Sequence, residues 1–179
     1  KSAQKAVLTP FFMGAGFLVN ILLTHLLDAS EVGDINYAMV LAGIVAVIMN
    51  IGVSGAIIRF SNIYKQADEY CRFLGACFLI QIVAAFILIL PTIFVFELLN
   101  LNWKLTLFIL LTSFLLSLLF NVDKFFIAQG SVFLSELARA TMTRLLPIAT
   151  LGGMSALSTG MNLFGYIEVY MALSIVIFL

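Results

Sequence analysis

The chain has 179 residues, 63% of them hydrophobic and 10% charged, with nine basic and nine acidic side chains that cancel. A soluble domain is nearer half apolar and a quarter charged, so a soluble enzyme is a poor fit. The balanced charge offers no global field for nucleic acid.

Between its charges the chain runs apolar for bilayer-spanning lengths. Helix of about 20 apolar residues crosses a hydrocarbon core of about 30 Å. Val7 to Leu27 reaches that length, with His25 its one titratable side chain, and predicts a first spanning helix. It is too long for a signal-peptide core. Asp28 to Asp34 then reads as a short acidic loop. Ile35 to Ile58 is longer still, carries no charge and predicts the second helix. Arg59 to Arg72 reads as a polar connection. Phe73 to Phe96, equally long and uncharged, predicts the third, with Pro91 expected to kink its last turns. Asn100 to Lys104 predicts a tight turn with Trp103 as an interfacial anchor. Leu105 to Val122 is the shortest of these uncharged runs and predicts the fourth helix, extending as far as Phe126. Gln129-Gly130-Ser131 breaks it. The sequence then divides two ways: a fifth helix over Ser135–Leu157 and a sixth from near Leu163, or one helix from Leu145 to Ile167. The first is preferred because Ser158-Thr-Gly-Met-Asn162 is turn-like.

Helices satisfy their own backbone hydrogen bonds in lipid. Runs such as Leu79–Leu90 lack the alternation of a barrel strand. The predicted fold class is therefore an all-α polytopic membrane bundle of about six helices. With the N-terminus cytoplasmic, Lys1, Lys5, Arg59, Lys65, Arg72, Lys124, Arg139 and Arg144 fall inside and Lys104 alone falls outside, the asymmetry of the positive-inside rule. The chain starts on Lys1 and stops within an apolar run at Leu179. It is expected to be a piece of a longer membrane protein, one transmembrane domain over residues 1–179.

Polar groups at membrane depth are costly and face protein or water. Asn20, Asn50 and Gln81 are such groups, read either as glue between helices or as the lining of a cavity. Arg59 and Arg144 are either snorkelling anchors or cations that grip phosphate oxygens. Glu136 precedes Arg139 by one helical turn and favours a structural pair there. Glu168 has long apolar sequence on both sides. It is a candidate for ion coupling, or an outer-edge residue of the sixth helix. Cys71 and Cys77 read as free thiols. With one histidine and no Cys-x-x-Cys pair there is no zinc signature. No P-loop, paired-carboxylate cluster or Ser/His/Asp arrangement points to an enzyme or to a cofactor.

Two stretches carry a resemblance: Glu31-Val-Gly33 after the first helix, and Gly52-Val-Ser54-Gly-Ala56-Ile-Ile-Arg59 at the end of the second. This pattern resembles polysaccharide-biosynthesis flippases of the O-antigen type, in the multidrug/oligosaccharidyl-lipid/polysaccharide exporter superfamily. Arg144-Leu-Leu-Pro-Ile and Leu163-Phe-Gly165-Tyr look like their fifth helix and the entry to the sixth. The resemblance implies the N-terminal lobe of a two-lobe transporter in the bacterial inner membrane. Its cargo would be undecaprenyl-pyrophosphate-linked oligosaccharide, moved by alternating access, with membrane lipid and polysaccharide assembly proteins as partners. It implies that Arg59 and Arg144 meet the pyrophosphate and that Asn20 and Asn50 line the cavity. The first four helices carry no cation at mid-membrane, which shifts the expected headgroup site toward the cytoplasmic mouth. Rival readings are an ion-coupled multidrug exporter, for which Glu168 is the candidate acid, and a membrane scaffold that transports nothing.

Overall fold

A computed structural model describes residues 2–66, 69–99, 101–140, 147, 149–151 and 163–178. Among these there is no strand. The helices are α1 (Ser2–Leu26), α2 (Ala29–Asn50), α3 (Val53–Gln66), α4 (Tyr70–Leu98), α5 (Trp103–Ala128), α6 (Val132–Ala140) and α7 (Leu163–Phe178). Residues 147 and 149–151 are also helical. α2, α4 and α5 are each long and apolar enough to cross a bilayer, and Gly16–Leu26 and Leu163–Ser174 add shorter apolar stretches. The protein is an all-α bundle of the polytopic membrane type.

α5 is the central post. α2 packs along it more extensively than any other helix, and α3, α6, α7 and α4 also touch it. The reason lies in side-chain size. α2 turns Ala38, Ala42 and Ala46 inward at four-residue spacing, all fully buried. α5 answers with buried Thr112, Ser113 and Ser117. Small residues let two backbones approach where lipid offers no hydrophobic drive for association. Around this seam Leu23, Ile35, Phe108, Ile109, Tyr166, Ile167 and Tyr170 close one core. A smaller cluster joins Val53, Ile57 and Cys77; Cys71 is exposed. α4 turns Phe86, Ile87, Leu90 and Phe94 outward, each well over half exposed, as a helix solvated by acyl chains does.

The ends of the helices explain the topology. α5 stops in a Schellman turn: Gly130 sits at φ +77°, its N–H donates to Ile127 O, and Ser131 N–H donates to Phe126 O. That left-handed position suits glycine, and it lies where Gln129-Gly-Ser131 predicts the break. At the other end of the bundle, Glu31 joins two helix starts. Its carboxylate accepts the Asp28 N–H at 3.4 Å and the Leu163 N–H at 2.9 Å. An anion there also suits the positive helix N-termini. α7 thus begins at Leu163, where the preferred reading starts the sixth helix. The preceding residues 152–162, and so the full extent of the predicted fifth helix, lie outside the described residues.

Three expectations are corrected. The acidic segment after Asp28 is helical from Ala29, because Asp28 and Glu31 occupy capping positions. Most significantly, the apolar run from Ile35 to Ile58 is two helices. Ile51 (φ 42°, ψ 41°) and Gly52 (φ +73°) both adopt left-handed backbone and split α2 from α3. The predicted polar connection over Arg59–Arg72 is instead the rest of α3, a short link and the start of α4. A β-branched residue in that conformation costs about 1–2 kcal/mol, and Ile51 is 61% exposed and packs little. Ile51→Gly is therefore expected to raise stability by about 1 kcal/mol after glycine's own entropy loss. Thermal unfolding in detergent checks this, and a drop in stability contradicts it.

Candidate functional site

The break between α2 and α3 is held from inside by a polar knot. Asn50 Nδ2 donates to Asn121 Oδ1 at 3.0 Å and to Ser117 O at 3.3 Å. Asn50 Oδ1 accepts the Ser54 N–H at 3.1 Å, the bond an N-cap side chain normally supplies. Gln81 from α4 donates to Ser117 Oγ at 2.6 Å, and Asn121 Nδ2 donates to Gln81 Oε1. Asn50, Gln81, Ser117 and Asn121 are all 4% exposed or less. Three helices thereby exchange amide hydrogen bonds at a depth where unsatisfied ones are expensive. Asn50 stands here as glue and cap, with its amide engaged on both sides, and does not face an open cavity. Asn121 lies inside the run read as the fourth helix, where sequence alone does not single it out.

Below the knot the bundle ends in charge. Asp123, 6% exposed at its side chain, meets Lys124 Nζ at 3.0 Å and Arg139 at 3.8 Å. Ser135 Oγ also donates to its carboxylate. Arg139 reaches Glu136 at 3.7 Å one turn earlier, as the sequence spacing predicts. Gln129 ties three helix ends, accepting from Lys65 Nζ at 3.1 Å and donating to Tyr70 OH at 2.9 Å. Tyr64 stacks on Phe73 with ring centroids 4.6 Å apart, closing the α3–α4 corner.

Arg59 lies on the exposed face of α3, about 9 Å along the helix from Lys65. Its guanidinium lies 5.6 Å from the Phe60 ring, and among the described residues it has no acidic partner. Arg72, exposed at the start of α4, is also without one among them. Arg144 lies outside the described residues; in sequence it precedes Pro147 by three positions.

The opposite end carries Lys104. It pairs with Glu168 at 2.9 Å and sits 5.0 Å from the Phe164 ring, so it clamps the start of α5 to the start of α7. Glu168 is 62% exposed at its side chain and stands beside Lys104, not buried within the bundle. Basic residues Arg59, Lys65, Arg72, Lys124 and Arg139 therefore gather at one end and Lys104 at the other.

Asn20 occupies a third setting. With Asn36 it lines a recess of about 280 Å³ whose walls include Met39, Pro147 and Tyr166. Asn36 falls next to the predicted acidic loop, and nothing in the sequence places it opposite Asn20. Two apolar recesses of about 320 and 380 Å³ flank α4, shaped for hydrocarbon. Among the described residues no group of His, Cys, Asp and Glu is placed to hold a metal ion.

The fold and these sites define the class: a helical membrane protein with polar seams between its helices and one strongly basic end. No protein-family model matches the chain, and comparisons with curated proteins and with solved structures find no match.

Proposed function

We propose that the protein is the N-terminal lobe of a flippase for lipid-linked oligosaccharide in the bacterial inner membrane, with its basic end and N-terminus cytoplasmic. The observation that carries this reading is Arg59: exposed at the basic end, two turns after the Gly52 break, and free of any acidic partner among the described residues. A pyrophosphate crossing lipid needs cations and water on its path. An unneutralised guanidinium offers a planar fork for phosphate oxygens. Arg144 is its proposed companion, and Asn20 contributes a polar wall further along. The isoprenoid tail stays in lipid, where the apolar flanks of α4 lie. Asn50 is reassigned to holding the helix break. Movement of the cargo would follow rocking of this lobe against a second one. Polysaccharide assembly proteins are the natural partners of that activity.

The pairing of Glu168 weighs against the drug-exporter rival, which needs a free acid within the membrane; here the acid is neutralised by Lys104 at the end opposite the basic cluster. A scaffold reading gains from the knot at Asn50, since polar groups turned toward neighbouring helices need no cargo. Disrupting the protein in its native cell separates the readings. The flippase reading expects loss of surface polysaccharide with lipid-linked oligosaccharide accumulating on the inner leaflet. Unchanged surface glycan overturns it, and a drop in drug resistance instead favours the exporter.

A further inference from the structure

The membrane-depth amides of this protein fall into two sets with opposite fates. Asn50, Gln81 and Asn121 satisfy one another inside the bundle. Asn20 and Asn36 are exposed and make no side-chain hydrogen bond among the described residues, yet both line the same recess. Asn20 is six residues from the end of α1 and Asn36 seven from the start of α2. Both therefore lie about 9–11 Å in from the same end of the bundle. Two amides left open among the described residues, at one depth on facing helices, favour a polar ligand, because lipid supplies no partner.

The chemistry of the recess narrows that partner. Among the described residues its lining has no charged side chain: Asn20 and Asn36 are joined by Gly16, Met39, Pro147, Tyr166 and aliphatic neighbours. An anion or cation would find no counter-charge among these. A carboxamide both donates and accepts, which matches a hydroxyl group that does the same. Apolar and aromatic walls beside the amides suit the C–H face of a ring. The volume, about 280 Å³, is just below the usual small-ligand range of about 300–1,000 Å³ and admits one ring. We infer that this recess is a subsite for a single neutral sugar unit, held by Asn20 and Asn36 against the Tyr166 wall. It lies apart from Arg59, which stands at the basic end. The inference rests on the flippase reading and names where the glycan part of the cargo is recognised.

The test is binding to the intact protein in lipid nanodiscs. Three probes are compared: undecaprenyl pyrophosphate, the same lipid bearing one N-acetylglucosamine, and free N-acetylglucosamine as competitor. The sugar-bearing lipid is expected to bind about tenfold more tightly than the bare lipid, the scale of two membrane-depth amide bonds. Asn20→Leu with Asn36→Leu should erase that preference, so that both lipids bind alike. If the double variant does not insert, Met39→Trp fills the recess with both amides in place and is expected to give the same loss. A sugar preference that survives both changes overturns the subsite. Equal binding of both lipids by the unaltered protein overturns the subsite and leaves the flippase reading standing. Binding of neither lipid overturns both. Displacement of the sugar-bearing lipid by free sugar at comparable concentration supports a sugar site whose ligand need not be lipid-linked.

Discussion

Replacing Arg59 and Arg144 together by alanine is expected to abolish surface-glycan export while the protein still inserts into the membrane. Arg59 makes no ion pair among the described residues, and its ring contact is with its own neighbour Phe60. Removing it leaves no buried group unpaired, so the stability change should stay within about 0.5 kcal/mol. The effect on a pyrophosphate is of another order. A hydrogen bond to a charged group contributes about 1.5–3 kcal/mol, and two guanidiniums make several. Losing them lowers headgroup affinity by at least about a hundredfold. Arg59→Lys keeps the charge but loses the planar fork, so it should retain part of the activity. Surface-glycan staining reads export, and membrane fractionation reads insertion. Normal export by the double variant removes both residues from the site.

Asn121→Leu is expected to be the most damaging single change to the bundle, at about 2 kcal/mol. It removes the acceptor of Asn50 and the donor to Gln81 at once. Both surviving amides remain buried in a helix seam that water does not reach. Changing Asn50, Gln81 and Asn121 all to leucine should cost less than the sum of the three single changes, because no polar remnant is then stranded. What that triple variant still loses is the Asn50 bond to the Ser54 N–H, so the first turn of α3 should fray. Unfolding in mixed micelles measures the losses, and hydrogen exchange at the Ser54 amide reads the cap. Strictly additive losses would show that the residues do not act as one network.

The helix positions were legible in the sequence wherever a charge or a turn residue punctuated an apolar run. Arg72, Glu97, Lys104 and Gly130 mark boundaries because charge and positive φ have no place inside a span. The division at Ile51-Gly52 was not legible. A glycine within a long uncharged run reads as a packing position, and isoleucine is a poor predictor of left-handed backbone. What decides the break is Asn50 capping Ser54 across the gap, which depends on α4 and α5 being in place. The candidate site was legible by residue type and not by partner. Asn20, Asn50 and Gln81 stand out as amides in apolar sequence, but nothing local separates an amide tied to Asn121 from one facing a recess. Asn36 is the second residue of the predicted second helix, where an amide beside an acidic loop does not stand out. Glu168 looked isolated until the packing of α7 on α5 brought the distant Lys104 beside it.

α4 carries a further consequence in its length. Its apolar stretch from Phe73 to Phe96 extends about 36 Å, longer than a typical hydrocarbon layer of about 30 Å. Such a helix is accommodated by tilt, a kink or a local thickening of the bilayer. Buried Gln81 and Phe96 hold α4 to the bundle toward both of its ends, so it cannot adjust alone: in a thin membrane either the whole bundle leans or the adjacent lipid stretches.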